Sequence, residues 1–216
     1  MRTRVKICGI TRPEDAIAAA ACGADAVGLV FYERSPRRVD VARAVEIVAA
    51  LPVFVDAVAL FVDAGAAEIA AVLERVRIDV LQFHGDEAPP ACRGFGLPYI
   101  KAVRMRPGTD VRAAAAHYPD AGALLLDSYR PGVAGGTGTT FAWGDIPAQP
   151  GARILLAGGL TPDNVADAIR SVRPYGVDVS GGVEAAKGVK DAGRMAAFCA
   201  AVRDADARID GHTFHG

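Results

Sequence analysis

Ala24-Asp25-Ala26-Val27-Gly28-Leu29-Val30-Phe31 opens on an acidic residue and continues as an almost unbroken apolar run. The same opening returns in Val55-Asp56-Ala57-Val58, Ile78-Asp79-Val80-Leu81 and Val177-Asp178-Val179, a weak internal repeat. Such short apolar runs predict strands buried on both faces. Strands are expected at Val5–Cys8, Ala26–Phe31, Ala57–Val62, Val80–His84, Tyr99–Val103, Ala123–Asp127, Ile154–Ala157 and Val177–Ser180. They recur roughly every 20–30 residues, the length of one strand–helix unit in a barrel of this size. Between them, Glu14–Cys22, Val41–Ala50, Ala66–Val76, Pro162–Val172 and Ala192–Ala205 return apolar residues at helical spacing. Buried strands joined by helices imply a parallel sheet covered on both faces, and about eight such units close as a (β/α)8 TIM barrel. The expectation is one α/β domain over residues 1–205 and a frayed C-terminal tail over 206–216.

The 216 residues are 51% hydrophobic with a net charge of −1, which suits one globular domain. Near-neutral charge gives no electrostatic reason to expect nucleic acid or an anionic membrane as partner. The N-terminus runs into a strand without a charged-then-apolar leader, and no apolar run reaches the ~20 residues needed to cross a bilayer. Cys8, Cys22, Cys92 and Cys199 lie far apart with no C-x-x-C pair, which speaks against zinc and a disulfide framework and for a reducing, cytoplasmic setting.

In a barrel of this type the chemistry sits where the strands end. Those ends carry Cys8, the loop Glu33-Arg34-Ser35-Pro36-Arg37-Arg38, Asp63, His84-Gly85, Arg104, Asp127, Gly158-Gly159 and Ser180-Gly181-Gly182. Cys8 ends the first strand ahead of a helix that opens near Pro13, a place where a thiol can face a cleft and be held as thiolate. Lys6, two residues back, points to the same strand face and is expected to favour that thiolate. Asp127 follows Leu124-Leu125-Leu126, so its carboxyl is expected to be poorly solvated, which suits a general acid. A guanidinium at Arg37, stiffened by Pro36, can clamp a planar carboxylate with two parallel hydrogen bonds. The glycine turns after strands seven and eight fall where this fold commonly binds phosphate, with Gly182–Ala186 as the expected short extra helix. His84 reads as an architectural residue at a strand end. Gly136-Thr137-Gly138 lacks the third glycine of a dinucleotide fingerprint, and Ser128–Thr140 reads as a lid or binding loop.

These residues resemble a known family. Lys6-Ile7-Cys8-Gly9-Ile10-Thr11, Ser35-Pro36-Arg37, Leu81-Gln82-Phe83-His84-Gly85, Leu125-Leu126-Asp127 with Gly135-Gly136-Thr137-Gly138 and Trp143, Ala157-Gly158-Gly159-Leu160 and Val177-Asp178-Val179-Ser180 follow one another as in phosphoribosylanthranilate isomerases. The resemblance implies an Amadori rearrangement of N-(5′-phosphoribosyl)anthranilate to 1-(2-carboxyphenylamino)-1-deoxyribulose 5-phosphate in tryptophan biosynthesis. Its base falls on Cys8 and its acid on Asp127. Substrate contacts fall on Arg37, Asp178, Gly158, Gly159, Gly181 and Gly182. It implies no metal or organic cofactor, a small phosphorylated substrate as the only partner, and a monomer or homodimer. Two positions depart from the family pattern: Gly181 stands where a second serine is common, and Ala142 where an aspartate precedes the tryptophan. The related aminoaldose isomerase of histidine synthesis carries an aspartate at the position of Cys8, which sets it apart.

Overall fold

The computed structural model describes residues 2–128 and 143–213, with the side chains of the last helix described to 209. Eight parallel strands close the barrel in chain order: β1 Arg4–Cys8, β2 Ala26–Val30, β3 Asp56–Phe61, β4 Val80–Phe83, β5 Tyr99–Met105, β6 Ala123–Ser128, β7 Ile154–Leu156 and β8 Gly176–Val179. The closing pair runs in register from Arg4 opposite Gly176 to Ile7 opposite Val179. Around them lie α1 Pro13–Cys22, α2 Val41–Ala49, α3 Ala66–Leu73, α4 Val111–His117, α5 Val165–Val172 and α6 Ala192–Thr213. The barrel and the strand positions are those expected from the sequence. After β4 a 3₁₀ turn, Pro89–Cys92, stands where the neighbouring units carry a helix.

Alternation along the strands builds two cores. Val58, Ile100, Ala102, Ala123, Leu125, Leu155 and Ala157 fill the barrel interior. Their sequence neighbours Ala57, Ala59 and Leu156 join the helices in an outer core. On β1 the same alternation sends Val5 and Ile7 outward and leaves Lys6 and Cys8 for the inside.

The acidic repeat has a physical explanation. The Asp25 carboxylate accepts the Val5 N–H at 2.8 Å, and Asp79 accepts the Ala57 N–H at 2.8 Å. Each takes the second amide of the preceding strand, while the first is bonded to a backbone carbonyl (Arg4 N–H to Tyr175, Asp56 N–H to Asp25). Asp56 sits between the two, and burial together with repulsion from Asp79 and Asp25 pushes its carboxyl up.

Two expectations are corrected. The chain does not fray at 206, because α6 runs on to Thr213 and Asp206 accepts hydrogen bonds from the Thr3 N–H (2.7 Å) and hydroxyl (2.6 Å). Cysteines distant in sequence are not all distant in space, since α1 and α6 bring the free thiols of Cys22 and Cys199 to 2.9 Å. The expected lid loop 129–140, its Gly135-Gly136-Thr137-Gly138 and Ala142 lie outside the described residues.

Candidate active site

The C-terminal mouth of the barrel holds a cavity of about 540 Å³, within the size of small-molecule sites, lined by Cys8, Arg37, Asp127, Gly158, Gly159, Asp178, Gly181 and Gly182. Every residue singled out from the sequence as catalytic or substrate-binding therefore meets in one place. Asp63 and Arg104, also at strand ends, do not line it. Asp63 accepts the Asp86 N–H at 2.6 Å, and Arg104 turns to Asp86 (3.3 Å) and the His84 carbonyl (3.2 Å). Arg34 and Arg38 point into solvent.

Cys8 on β1 pairs with Gly28 on β2, and a Cβ on Gly28 would come within 2.8 Å of the Cys8 Sγ and 3.0 Å of Lys6 Nζ. Glycine at this position is what lets both side chains reach inward. Gly9 then turns the chain with a φ of +76°, and a Cβ on it would strike Arg37 Cδ at 2.5 Å. The stem of Arg37 thus crosses the backbone next to the thiol.

Lys6 Nζ donates to Asp178 Oδ1 at 2.8 Å inside the barrel. Burial works against the ammonium, but attraction to Asp178 and Cys8 outweighs it and the Lys6 pKa is raised. At Cys8 the balance goes the other way. Burial and the nearby Asp178 charge disfavour the thiolate more than Lys6 and Lys190 favour it, so the thiol is pushed above its usual range. Lys6 favours the thiolate, as expected, but burial and the Asp178 charge outweigh it.

On the opposite wall, Asp127 is only 5% exposed. His84 Nε2 lies 3.2 Å from its Oδ2, and Gln82 Nε2 lies 3.0 Å from His84 Nδ1. His84 is therefore part of the site, not only architecture at a strand end.

The loops after β7 and β8 press together where no side chain fits. A Cβ on Gly158 (φ +78°) would meet Ser128 N at 2.3 Å, and one on Gly182 would meet Leu160 O at 2.0 Å. That end of the cavity is walled by backbone. The expected short extra helix is a single 3₁₀ turn, Gly181–Val183, followed by the hairpin of β9 Glu184–Ala186 and β10 Val189–Lys190. The chain turns back at Gly188 (φ +79°), which excludes a longer helix.

The hairpin supplies residues that the sequence reading missed. Glu184 accepts from Arg37 Nε at 2.7 Å and Nη2 at 2.8 Å, while Lys190 Nζ donates to Glu184 Oε1 at 2.9 Å and the Ser180 carbonyl at 3.1 Å. Burial would raise the Glu184 carboxyl, but hydrogen bonds and attraction from Arg37 and Lys190 bring it below its usual range. Burial lowers Lys190 despite Glu184. Only Gly188 hinted at this hairpin, because Glu184-Ala185-Ala186 has no strand preference of its own.

A thiol and a carboxyl on opposite walls of a closed parallel barrel, with a guanidinium and a backbone-lined pocket between them, define a barrel enzyme built for acid–base chemistry on an anionic ligand. The sequence matches the family described as N-(5'phosphoribosyl)anthranilate (PRA) isomerase over residues 5–201. It is 60% identical over 200 residues to the N-(5′-phosphoribosyl)anthranilate isomerase of Pseudomonas aeruginosa, an alignment covering 93% of this chain and 95% of that one. Among solved structures, the phosphoribosyl anthranilate isomerase of Thermotoga maritima superposes with a TM-score of 0.85 at 38% identity, covering 94% and 99% of the two chains. Another isomerase, solved with reduced 1-(o-carboxyphenylamino)-1-deoxyribulose 5-phosphate, gives 0.82 at 37% identity over 94% and 99%. The chain belongs to the phosphoribosylanthranilate isomerase family.

Proposed function

We propose that Cys8 is the general base and Asp127 the general acid with which this enzyme isomerises N-(5′-phosphoribosyl)anthranilate in tryptophan biosynthesis. The observation that carries the roles is their placement on opposite walls of one cavity that also holds Arg37. The carboxylic acid of Asp127 delivers its proton to the ribose ring oxygen as the C1′–O bond breaks, and the anthranilate nitrogen lone pair forms the C1′=N iminium. The iminium acidifies the neighbouring C2′–H, so a moderate base suffices. Cys8 removes that proton, the electrons move to give an enolamine, and reprotonation at C1′ with loss of the 2′-hydroxyl proton gives the ketone. The iminium is a cation formed beside the thiol, so the charge that favours a thiolate arises at the step that needs one.

Arg37 holds the anthranilate carboxylate. The amides around Gly158, Gly159, Gly181 and Gly182 hold the phosphate without the hydroxyl that a second serine would add. Asp178, paired with Lys6, accepts a ribose hydroxyl. The enzyme works in the cytoplasm on a soluble substrate, as a monomer or homodimer and without a cofactor. Among the described residues no helix is long and apolar enough to cross a membrane, and no cluster of His, Cys, Asp and Glu suits a metal ion.

Asp127→Asn tests the acid. The amide keeps the shape but has no transferable proton, so kcat is expected to fall at least ~10²-fold with KM little changed. A substrate whose ring is already open should recover most of that loss. Near-normal turnover of the closed ring by the variant overturns the assignment.

A further inference from the structure

Arg37 presents five N–H donors on a rigid plane. Glu184 engages the Nε–H and one Nη2–H, at 2.7 and 2.8 Å, which occupies the side edge of the guanidinium. Three N–H groups remain, two of them on the Nη1/Nη2 edge, and that edge has the spacing of a carboxylate. Glu184 itself has little freedom. Its Oε1 also takes Lys190 Nζ at 2.9 Å and the Gly188 N–H at 3.3 Å, and the Lys190 side chain is fully buried. The stem of Arg37 is held where it crosses Gly9. The head and stem of the arginine are thus fixed by separate elements.

Charge gives the second part of the argument. Arg37 and Lys190 contribute two positive charges and Glu184 one negative, so the cluster keeps a single positive charge for a single anionic group. Without Glu184 the cluster would hold two positive charges, but Arg37 could rotate any edge toward the cavity.

Resting on the reading of Arg37 as the carboxylate ligand, we infer that Glu184 is a positioning residue that selects substrates bearing a planar carboxylate beside the amine. It does so by fixing which edge of Arg37 faces the cavity, and it acts only through that guanidinium. The same segment, 180–190, also carries Gly181 and Gly182 of the backbone-lined pocket. One short stretch of chain therefore sets the spacing between the two anionic groups of a ligand.

Simple electrostatics and positioning make opposite predictions for Glu184→Gln. If Glu184 served only to dilute positive charge, its removal would tighten binding of a carboxylated ligand. If it positions Arg37, binding weakens, because the Gln amide offers one acceptor and turns N–H groups toward the guanidinium. The probes are reduced 1-(o-carboxyphenylamino)-1-deoxyribulose 5-phosphate and its phenylamino counterpart without the carboxylate, titrated calorimetrically into wild type, Glu184→Gln, Glu184→Asp and Arg37→Ala. The expected result is that the preference for the carboxylated probe falls at least tenfold in Glu184→Gln while the second probe binds as to wild type. In turnover the loss appears in KM, with kcat within threefold. Glu184→Asp, which keeps the charge but withdraws it, shows a smaller loss of the same sign and serves alone if Glu184→Gln does not fold. Unchanged or increased preference in the folded glutamate variants, with preference lost in Arg37→Ala, overturns the inference and leaves the arginine reading standing. Preference retained in Arg37→Ala removes both.

Discussion

At the N-terminal mouth of the barrel Asp25 and Asp79 are used up on neighbouring strand amides and on arginines at the surface, Arg2 and Arg4 beside Asp25 and Arg77 3.8 Å from Asp79. At the C-terminal mouth Asp178 and Glu184 are instead held by buried lysines, and Glu184 also by Arg37, which keeps N–H donors free in the wall of a cavity. Both mouths enclose space, about 430 Å³ at the first and 540 Å³ at the second, within the usual range for ligand sites. Volume does not separate a structural end from a functional one. The difference lies in unspent hydrogen-bonding capacity: Asp25 and Asp79 close on amides and arginines at one end, and Arg37 keeps N–H groups for a ligand at the other.

Substitutions at the two ends should therefore separate activity from stability. The largest effect is expected from Cys8→Ala, which removes the base from a site it does not hold together. It should fold with an unchanged melting temperature and lose kcat at least ~10²-fold. Near-wild-type turnover would take the thiol out of the mechanism. Arg37→Ala comes next, weakening substrate by about 1.5–3 kcal/mol, the scale of a hydrogen bond to a charged group. An unchanged KM would place the carboxylate ligand elsewhere.

A titration sharpens the contrast further. Burial pushes the Cys8 thiol up, so the neutral form dominates at pH 7. Its rate of alkylation should therefore rise about tenfold per pH unit on the alkaline side of neutrality. Lys6 favours the thiolate, so Lys6→Met should move this limb to higher pH. A limb that moves down would mean that the lysine is not coupled to the thiol. The smallest effect is expected at the other end: Asp79→Ala loses a cap on the Ala57 N–H and should cost about 1 kcal/mol in urea unfolding. Its kcat should stay at the wild-type value, and a loss there would show that the two mouths are not independent.

The barrel was readable because the strands are short and apolar and most are followed by a helix of 3.6-residue period, and these are local properties. Cys8, Arg37 and Asp127 were readable because strand ends map onto one face of this architecture. Asp178 shows where local reading stops. In sequence it repeats Asp25, Asp56 and Asp79, yet it falls at the third residue of β8 and points into the barrel toward Lys6, while the others sit at strand entrances. One or two residues of register decide between a cap and a ligand. Glu184 and Lys190 were out of reach, because their roles depend on a hairpin that folds back 147 positions along the chain onto Arg37. The upward push on the Cys8 thiol was also missed: a cation two residues away is visible in sequence, but the burial and the Asp178 carboxylate that outweigh it are not.

The central claim is a division of labour: Asp127 opens the ring and Cys8 then takes the C2′ proton. Trapping with borodeuteride during a single turnover tests it directly. Deuterium at C1′ of the recovered ribityl anthranilate marks the iminium, and deuterium at C2′ marks the ketone product. In Cys8→Ala the label should collect at C1′, because the ring opens and the base is missing. In Asp127→Asn neither position should be labelled above the enzyme-free background. Label at C1′ in Asp127→Asn and none in Cys8→Ala would reverse the two roles and contradict the account.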